Sequence, residues 1–172
     1  MSKKQRNLNQ PSPLRTIQEL RVAAHHLWYE RAMLEFTGTR LTQKPPPVNL
    51  DYAVMMESFL IHARNINEFF YSQEMYSEKK KKVLVDDVIA EDFFDYQKSW
   101  VKPQANRLPD DLLQQINDQL SHLTYARKVG QYGDWHFADI QQRLISLIDS
   151  FIQEVAPGKV VSLTFTQSPY FV

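Results

Sequence analysis

Residues 50–71 read LDYAVMMESFLIHARNINEFFY and form the most apolar helical segment of the chain. The apolar side chains fall on almost every side of a helical wheel, which is typical of a helix surrounded by other helices. Asn49 directly precedes the segment and is a favourable N-cap residue. We therefore predict a central helix over 50–74, against which the rest of the chain packs.

Other segments show the same helical spacing of apolar residues on a narrower face. They predict helices over 13–36, 87–99, 110–128 and 135–155. Ser12, Asp86 or Asp87, and Asp134 stand at positions suited to cap three of these helices. The consecutive prolines at 45–47 predict an extended connector, and the lysine-rich stretch 77–83 predicts a solvated loop. The pattern as a whole predicts an all-α bundle of four to five helices.

The length of 172 residues fits one domain. The polar residues 1–12 predict a flexible N-terminal tail, and 13–155 predict the bundle domain. The β-branched, alternating residues of 156–172 predict an extended apolar C-terminal tail with the character of a short strand. Such a tail can bind a protein partner by strand addition.

The composition excludes several classes of function. The chain has no cysteine, so it has no disulfide and no thiolate metal site, which fits a cytoplasmic location. No apolar run is long enough for a membrane span. Basic and acidic residues both number 20, which gives no broad electrostatic attraction for nucleic acid. Capping explains the carboxylates at 86 and 87, no histidine stands near them at ligand spacing, and we predict neither a metal site nor a cofactor.

Polar side chains interrupt the central helix at regular spacing. Glu57, Arg64 and Tyr71 are seven residues apart and therefore share one line of the helix. One interpretation is a buried Arg–Glu pair that fixes the register of the bundle. The other is a polar pocket inside the bundle, to which His62 and Asn65 would also contribute.

His122 lies at the margin of the leucine stripe of the helix predicted over 110–128. Asp118 and Tyr125 stand one turn to either side, where they can hydrogen-bond the imidazole. One interpretation is a satisfied histidine at the edge of the core. The other is a general acid or base held in place by its neighbours.

Three segments together resemble the HEPN proteins. They are ESFLIHARNINEFFY (57–71), DDVIAEDFF (86–94) and INDQLSHLTYAR (116–127). The abortive-infection-type branch of HEPN proteins is the most similar, together with a bacterial family that is related to it. The resemblance covers 13–155. It implies a helical bundle, commonly a homodimer, and many HEPN proteins are metal-independent ribonucleases in bacterial defence or toxin–antitoxin systems.

The resemblance also implies site residues. In HEPN proteins an arginine, four to six residues and a histidine line a cleft at the dimer interface. Here His122 matches the histidine, but the positions for the arginine hold Gln115, Ile116 and Asn117. Arg64 or Arg127 would then have to supply the guanidinium that stabilises the transition state on RNA. The alternative is that the chain is an inactive relative that has lost this activity.

Other side chains complete the site under this interpretation. Asn117 and Asn65 would orient the substrate, and Tyr125 would contact it. A formal match to the motif also occurs at Arg21 and His26 in the first helix, but so short a pattern arises easily by chance.

A rival interpretation is a non-enzymatic helical module that binds other proteins. The polar line on the central helix would then be structural. The neutral net charge and the missing arginine favour this rival.

Overall fold

The computed structural model describes residues 15–43, 50–79, 87–94, 100–121, 135–155 and 159. These residues form four α-helices, and no strand occurs among them. The helices are α1 (Ile17–Gln43), α2 (Leu50–Lys79), α3 (Asp110–Ser121) and α4 (Phe137–Glu154). Two short 3₁₀ turns, Ala90–Phe93 and Gln104–Asn106, lie between α2 and α3. The predicted all-α bundle is confirmed.

The α2 helix is central, as its apolar composition predicts, because it contacts α1, α3 and α4. The α1 helix runs antiparallel to α4: Arg31 Nη1 lies 2.5 Å from Asp149 Oδ1, and Gly38, further along α1, faces Gln141, which comes earlier in α4. The apolar residues that recur at helical spacing in the segment predicted over 135–155 are buried: Phe137, Ile140, Leu144, Leu147, Ile148, Phe151 and Val155.

The first helix begins later than predicted. Arg15 and Thr16 are not helical, and the capping group is Thr16. Its hydroxyl oxygen accepts from the backbone N–H of Glu19 at 3.2 Å, while the Glu19 carboxylate accepts from the Thr16 backbone N–H at 2.7 Å. This reciprocal capping box satisfies donors that the first helical turn leaves unpaired. A helix start at residue 13 was therefore wrong.

The first helix also ends later than predicted, at Gln43 rather than 36. The stretch FTGTRLTQ (36–43), which lies almost entirely beyond the predicted end at 36, is helical. Thr37 and Thr42 donate their hydroxyls to the carbonyls of Met33 and Gly38, at 2.6 and 2.8 Å. These bonds to residue i−4 keep the threonines compatible with a helix, so the glycine and threonines do not end it.

Gly38 lies where α1 is in close contact with both α2 and α4. A Cβ atom at this position would lie 2.9 Å from Cε2 of Phe59 on α2 and would also meet the Gln141 side chain on α4. Phe59 is fully buried. The glycine is therefore needed for close approach of helices, and its lower helix propensity is tolerated for that reason.

The α2 helix extends to Lys79, five residues beyond the predicted end and into the stretch predicted as a loop. Tyr71 has non-helical torsion angles, φ −118° and ψ 17°. Ser72 donates its hydroxyl to the carbonyl of Glu68, and its neighbour Tyr71 donates to the carbonyl of Pro103 at 2.6 Å. The helix thus bends at Tyr71 and continues.

The segment 87–94 is not the helix predicted over 87–99. Within the described residues it contains only the 3₁₀ turn Ala90–Phe93, and Phe94 is extended, with φ −103° and ψ 144°. The Asp92 carboxylate accepts from the Ile89 backbone N–H at 3.2 Å. Residues 95–99 lie outside the described part of the chain.

Aromatic rings hold this segment against the bundle. The Phe151 ring on α4 has five aromatic neighbours with centroids 5.2 to 5.8 Å away. They are Phe69, Phe70, Phe93, Phe94 and Trp100. Phe94 and Trp100 are also stacked on each other. We call these six rings the aromatic cluster.

The remaining helix predictions are partly testable. The α3 helix begins at Asp110 as predicted, and α4 covers Phe137–Glu154 within the predicted 135–155. The last part of the helix predicted over 110–128, residues 122–128, lies outside the described residues. So do the N-terminal tail, all of the C-terminal tail except Lys159, and the proposed caps Ser12, Asn49, Asp86 and Asp134.

Replacing Gly38 with alanine is expected to destabilise the fold. Alanine is favoured over glycine in a helix by about 1 kcal/mol, but the added methyl meets the Phe59 ring, and overpacking a filled core costs about 1–3 kcal/mol. We expect urea denaturation to show a net loss of about 1 kcal/mol in the free energy of unfolding.

The exposed neighbour Thr39 provides the matched control. Thr39→Ala is expected to leave the free energy of unfolding unchanged or to raise it slightly. If Gly38→Ala is as stable as Thr39→Ala, the close crossing at Gly38 is wrong.

Candidate functional site

A polar triad joins α1 to α2. His62 Nδ1 lies 2.6 Å from Glu30 Oε2, and Asn65 Nδ2 donates to the same oxygen at 3.3 Å. The Glu30 carboxylate therefore contacts a ring nitrogen and a side-chain amide of the same neighbouring helix. The Tyr29 ring packs edge-on against the imidazole. Glu30 is thereby held in one orientation by two side chains of the neighbouring helix.

The histidine of this triad is not placed as a general base for a nucleophile. A carboxylate that orients a histidine is the arrangement of hydrolase triads. However, the only hydrogen-bond partner of the His62 ring within the described residues is Glu30, so no serine or threonine hydroxyl there is activated by it. The structure instead makes His62 a positioning residue for Glu30.

Glu30 and Asn65 face an open groove of about 760 Å³. One wall is α1, the other is α2, and the segment 87–89 closes one end. The wall residues on α1 recur at intervals of three and four, so they form one continuous face: Gln18, Glu19, Val22, Ala23, His26, Leu27 and Glu30. The α2 and loop residues are Asn65, Ile66, Glu68, Phe69, Ser72, Asp87, Val88 and Ile89.

Arg15 binds the segment 87–92 at the closed end of the groove. Its Nη2 donates to the backbone carbonyl of Asp87 at 2.9 Å, and its Nε lies 3.9 Å from Oδ2 of Asp92. The Asp92 side chain is fully buried. Since a buried carboxylate is costly without a cation nearby, this ion pair ties the N-terminal end of α1 to the segment 87–92.

The described lining of the groove is acidic. It holds four carboxylates, those of Glu19, Glu30, Glu68 and Asp87, and one guanidinium, that of Arg15. The guanidinium of Arg15 pairs with the buried Asp92 and also attracts Glu19. The groove therefore combines an apolar floor with a negative rim.

Glu19 is ionised at neutral pH. The Thr16 backbone N–H and then the Thr16 hydroxyl donate to its carboxylate, and these two bonds lower the pKa of Glu19 below its ordinary value. Glu68, on the opposite wall, has no hydrogen bond or ion pair from its carboxylate within the described residues. Both walls of the groove, α1 with Glu19 and α2 with Glu68, thus present negative charge to it.

The predicted residues of α2 separate onto two sides of that helix. His62 and Asn65 meet at Glu30, whereas Arg64 lies about 160° from His62 around the helix axis. Arg64 shares its line with Tyr71, whose hydroxyl bonds Pro103. The structure therefore brings His62 and Asn65 together and separates Arg64 from them.

The predicted buried Arg–Glu pair does not form within the described residues. The Arg64 Nε atom is buried without a hydrogen-bond partner. Glu57, on the same line of α2, is half-buried. The prediction of a register-fixing pair between these two side chains was therefore wrong.

The α3 residues of the predicted site are only partly described. Asn117 is half-buried on α3, which packs against α2. His122, Tyr125 and Arg127 lie outside the described residues. Of the formal motif on α1, only His26 lines the groove, because Arg21 lies about 140° away around the helix.

Sequence reasoning missed Glu30, Arg15 and Glu68. Glu30 carries no local signal, since its partner His62 is 32 positions away. One signal was available. The pattern Thr16-x-x-Glu19 predicts a helix start. That start would have shown which α1 residues share a face with Glu19.

Two further properties of the described ranges bear on function. None of their helices has both the length and the apolar character needed to cross a membrane. In the same ranges, no three histidine or acidic side chains are grouped so that they could hold a metal ion.

No family model, curated protein or solved structure matches the chain. The functional conclusion therefore rests on the geometry of the site.

The stabilisation from Glu19 is expected to depend on pH. Because the pKa of Glu19 is lowered in the folded state, its contribution is full above the pKa of the unfolded chain and is lost as the pH falls through the folded-state pKa. Glu19→Gln removes this titration. The difference in Tm between wild type and Glu19→Gln should be largest near neutral pH and should shrink as the pH approaches about 3. A difference that stays constant or grows on acidification would contradict the capping box.

Proposed function

We propose that this protein is a helical interaction module that holds a segment of another protein in the groove between α1 and α2. The observation that carries the proposal is the continuous face of α1, from Gln18 to Glu30, which lines an open groove of about 760 Å³ with an apolar floor. Concave, mostly apolar sites with a few oriented polar groups are typical binding sites.

The triad supports binding rather than catalysis. Glu30 is held by His62 and Asn65 before any ligand arrives. A group that is already oriented loses little conformational entropy on binding. The absence of cysteine from the sequence supports the cytoplasm as the location of this module.

RNA is a poor ligand for this groove. A phosphate backbone requires cationic side chains that replace its counterions. The groove instead presents four carboxylates, and its one guanidinium is paired with Asp92. An RNA-binding surface would have to lie elsewhere on the molecule.

The proposal is tested with peptides selected from a random displayed library for binding to the full chain. Val22 lines the groove and is 51% exposed, whereas Ile17, also on α1, is 52% exposed and does not line it. Val22→Gln should weaken the selected peptides about fivefold through lost apolar contact, and Ile17→Gln should change their affinity by less than about twofold. Peptides that respond equally to both substitutions, or not at all, would overturn the proposal.

A second candidate is a HEPN-like ribonuclease that acts as a homodimer. The observation that favours it is Arg64, whose Nε is buried without a hydrogen-bond partner. Arg64 lies on the same side of α2 as Tyr71, seven residues further along. Under this candidate the free guanidinium would supply the arginine that the motif at His122 lacks. It would act on the scissile phosphate together with that histidine.

This candidate predicts RNA cleavage without added metal by a dimer. Cleavage should fall about a hundredfold in His122→Ala and in Arg64→Ala, while circular dichroism stays unchanged. Arg40→Ala, at an exposed arginine of α1, should cleave like wild type. No cleavage, or equal cleavage by all four proteins, would exclude the ribonuclease.

A further inference from the structure

We propose that the occupant of the groove is a cationic amphipathic helix, with basic side chains about three turns apart on either side of an apolar stripe. This inference rests on the proposed function, since it names the partner of the same groove. It follows from the shape of the two walls and from the positions of their charges.

The shape of the groove fits a helix. Both of its long walls are helices, and the residues of α1 that face it recur at intervals of three and four. Rows of this spacing form ridges and grooves that accept the side chains of a third helix. The α1 wall from Gln18 to Glu30 is about 18 Å long, which matches three to four turns of an occupant.

The floor of the groove requires an apolar stripe. Val22 is exposed and Phe69 is half-buried there, and they lie over Leu27 and Ile66, which are already buried in the core. The surface of Val22 is therefore free to be covered. An occupant with leucine-like side chains at i, i+3, i+4 and i+7 would bury this floor.

The charges of the groove require basic side chains at defined intervals. Glu19 and Glu30 lie eleven residues apart on α1, or about 16 Å along the helix axis. Glu68 stands on the opposite wall. Lysine or arginine side chains about three turns apart on the occupant would reach the two α1 carboxylates, and one between them would reach Glu68.

The carboxylates are available to such a ligand. Glu68 has no ion pair within the described residues, and Glu19 is bonded only at its Oε2 atom by Thr16. A carboxylate has further acceptor positions on both oxygens. Arg15 attracts both the buried Asp92 and Glu19, so its single charge offsets only part of the negative charge of the four carboxylates.

The experiment compares two synthetic peptides of about 15 residues. Both carry leucine at i, i+3, i+4 and i+7, and their polar positions hold lysine in one and glutamate in the other. Their affinities for the full chain are measured by fluorescence anisotropy at low and high salt. The proteins are wild type, Glu68→Lys, Val22→Gln and Asp118→Lys, the last changing the same charge on an exposed site of α3.

The lysine peptide is expected to bind wild type about tenfold more tightly than the glutamate peptide at low salt. Glu68→Lys should weaken the lysine peptide about fivefold and strengthen the glutamate peptide. Asp118→Lys should change either affinity by less than about twofold. High salt should reduce the difference between the peptides.

Failure of the inference differs from failure of the proposed function. If both peptides bind equally and both weaken in Val22→Gln, the groove accepts helices and the preference for cationic ones is wrong. If Glu68→Lys acts no more strongly than Asp118→Lys, the preference does not arise in the groove, and the inference is also overturned. If neither peptide responds to Val22→Gln, the groove is not the binding site and both proposals fail.

Discussion

The packing of aromatic rings around Phe151 is the interaction on which the rest of the structure depends. Its ring contacts aromatic side chains of α2, of the segment 87–94 and of Trp100. Phe151 is itself fully buried on α4. Edge-to-face contacts of this kind add to the burial of large apolar surfaces. The connection between α2 and α3, which has little regular structure, is thereby fixed against the bundle. Its first described residues, 87–89, close one end of the groove.

The groove exists because the connection between α2 and α3 contains only two short 3₁₀ turns within the described residues. Asp92 caps a single 3₁₀ turn and pairs with Arg15, while Phe94 turns into the aromatic cluster. The segment is thus held at the end of α1, and the faces of α1 and α2 beyond it stay open. Glu30 lies on these open faces and is held there by the buried His62, which is why we interpret Glu30 as an oriented recognition group.

The sequence predicts the parts of this structure that depend on local pattern. The all-round apolar character of 50–71 gives the central position of α2, and the stripe on α4 is buried as its spacing indicates. The C-terminal end of α1 and the segment 87–94 were not predicted correctly, because i−4 threonine bonds and contacts with Phe151 outweigh local propensity. The start of α1 does have a local signal, the capping box of Thr16 and Glu19. The groove could not be predicted at all, since Glu30 and His62 meet only after α1 and α2 pair.

We propose the groove between α1 and α2 as the site where this protein binds a partner. Methyl-resolved NMR titration with the lysine peptide tests it most directly. Chemical-shift changes are expected only at methyl groups that line the groove, those of Val22, Leu27, Ile66, Val88 and Ile89. The methyl groups of Leu113 and Ile116 on α3 should stay unchanged. Shifts centred on α3, or no shift on α1 and α2 at saturating peptide, would contradict the proposal.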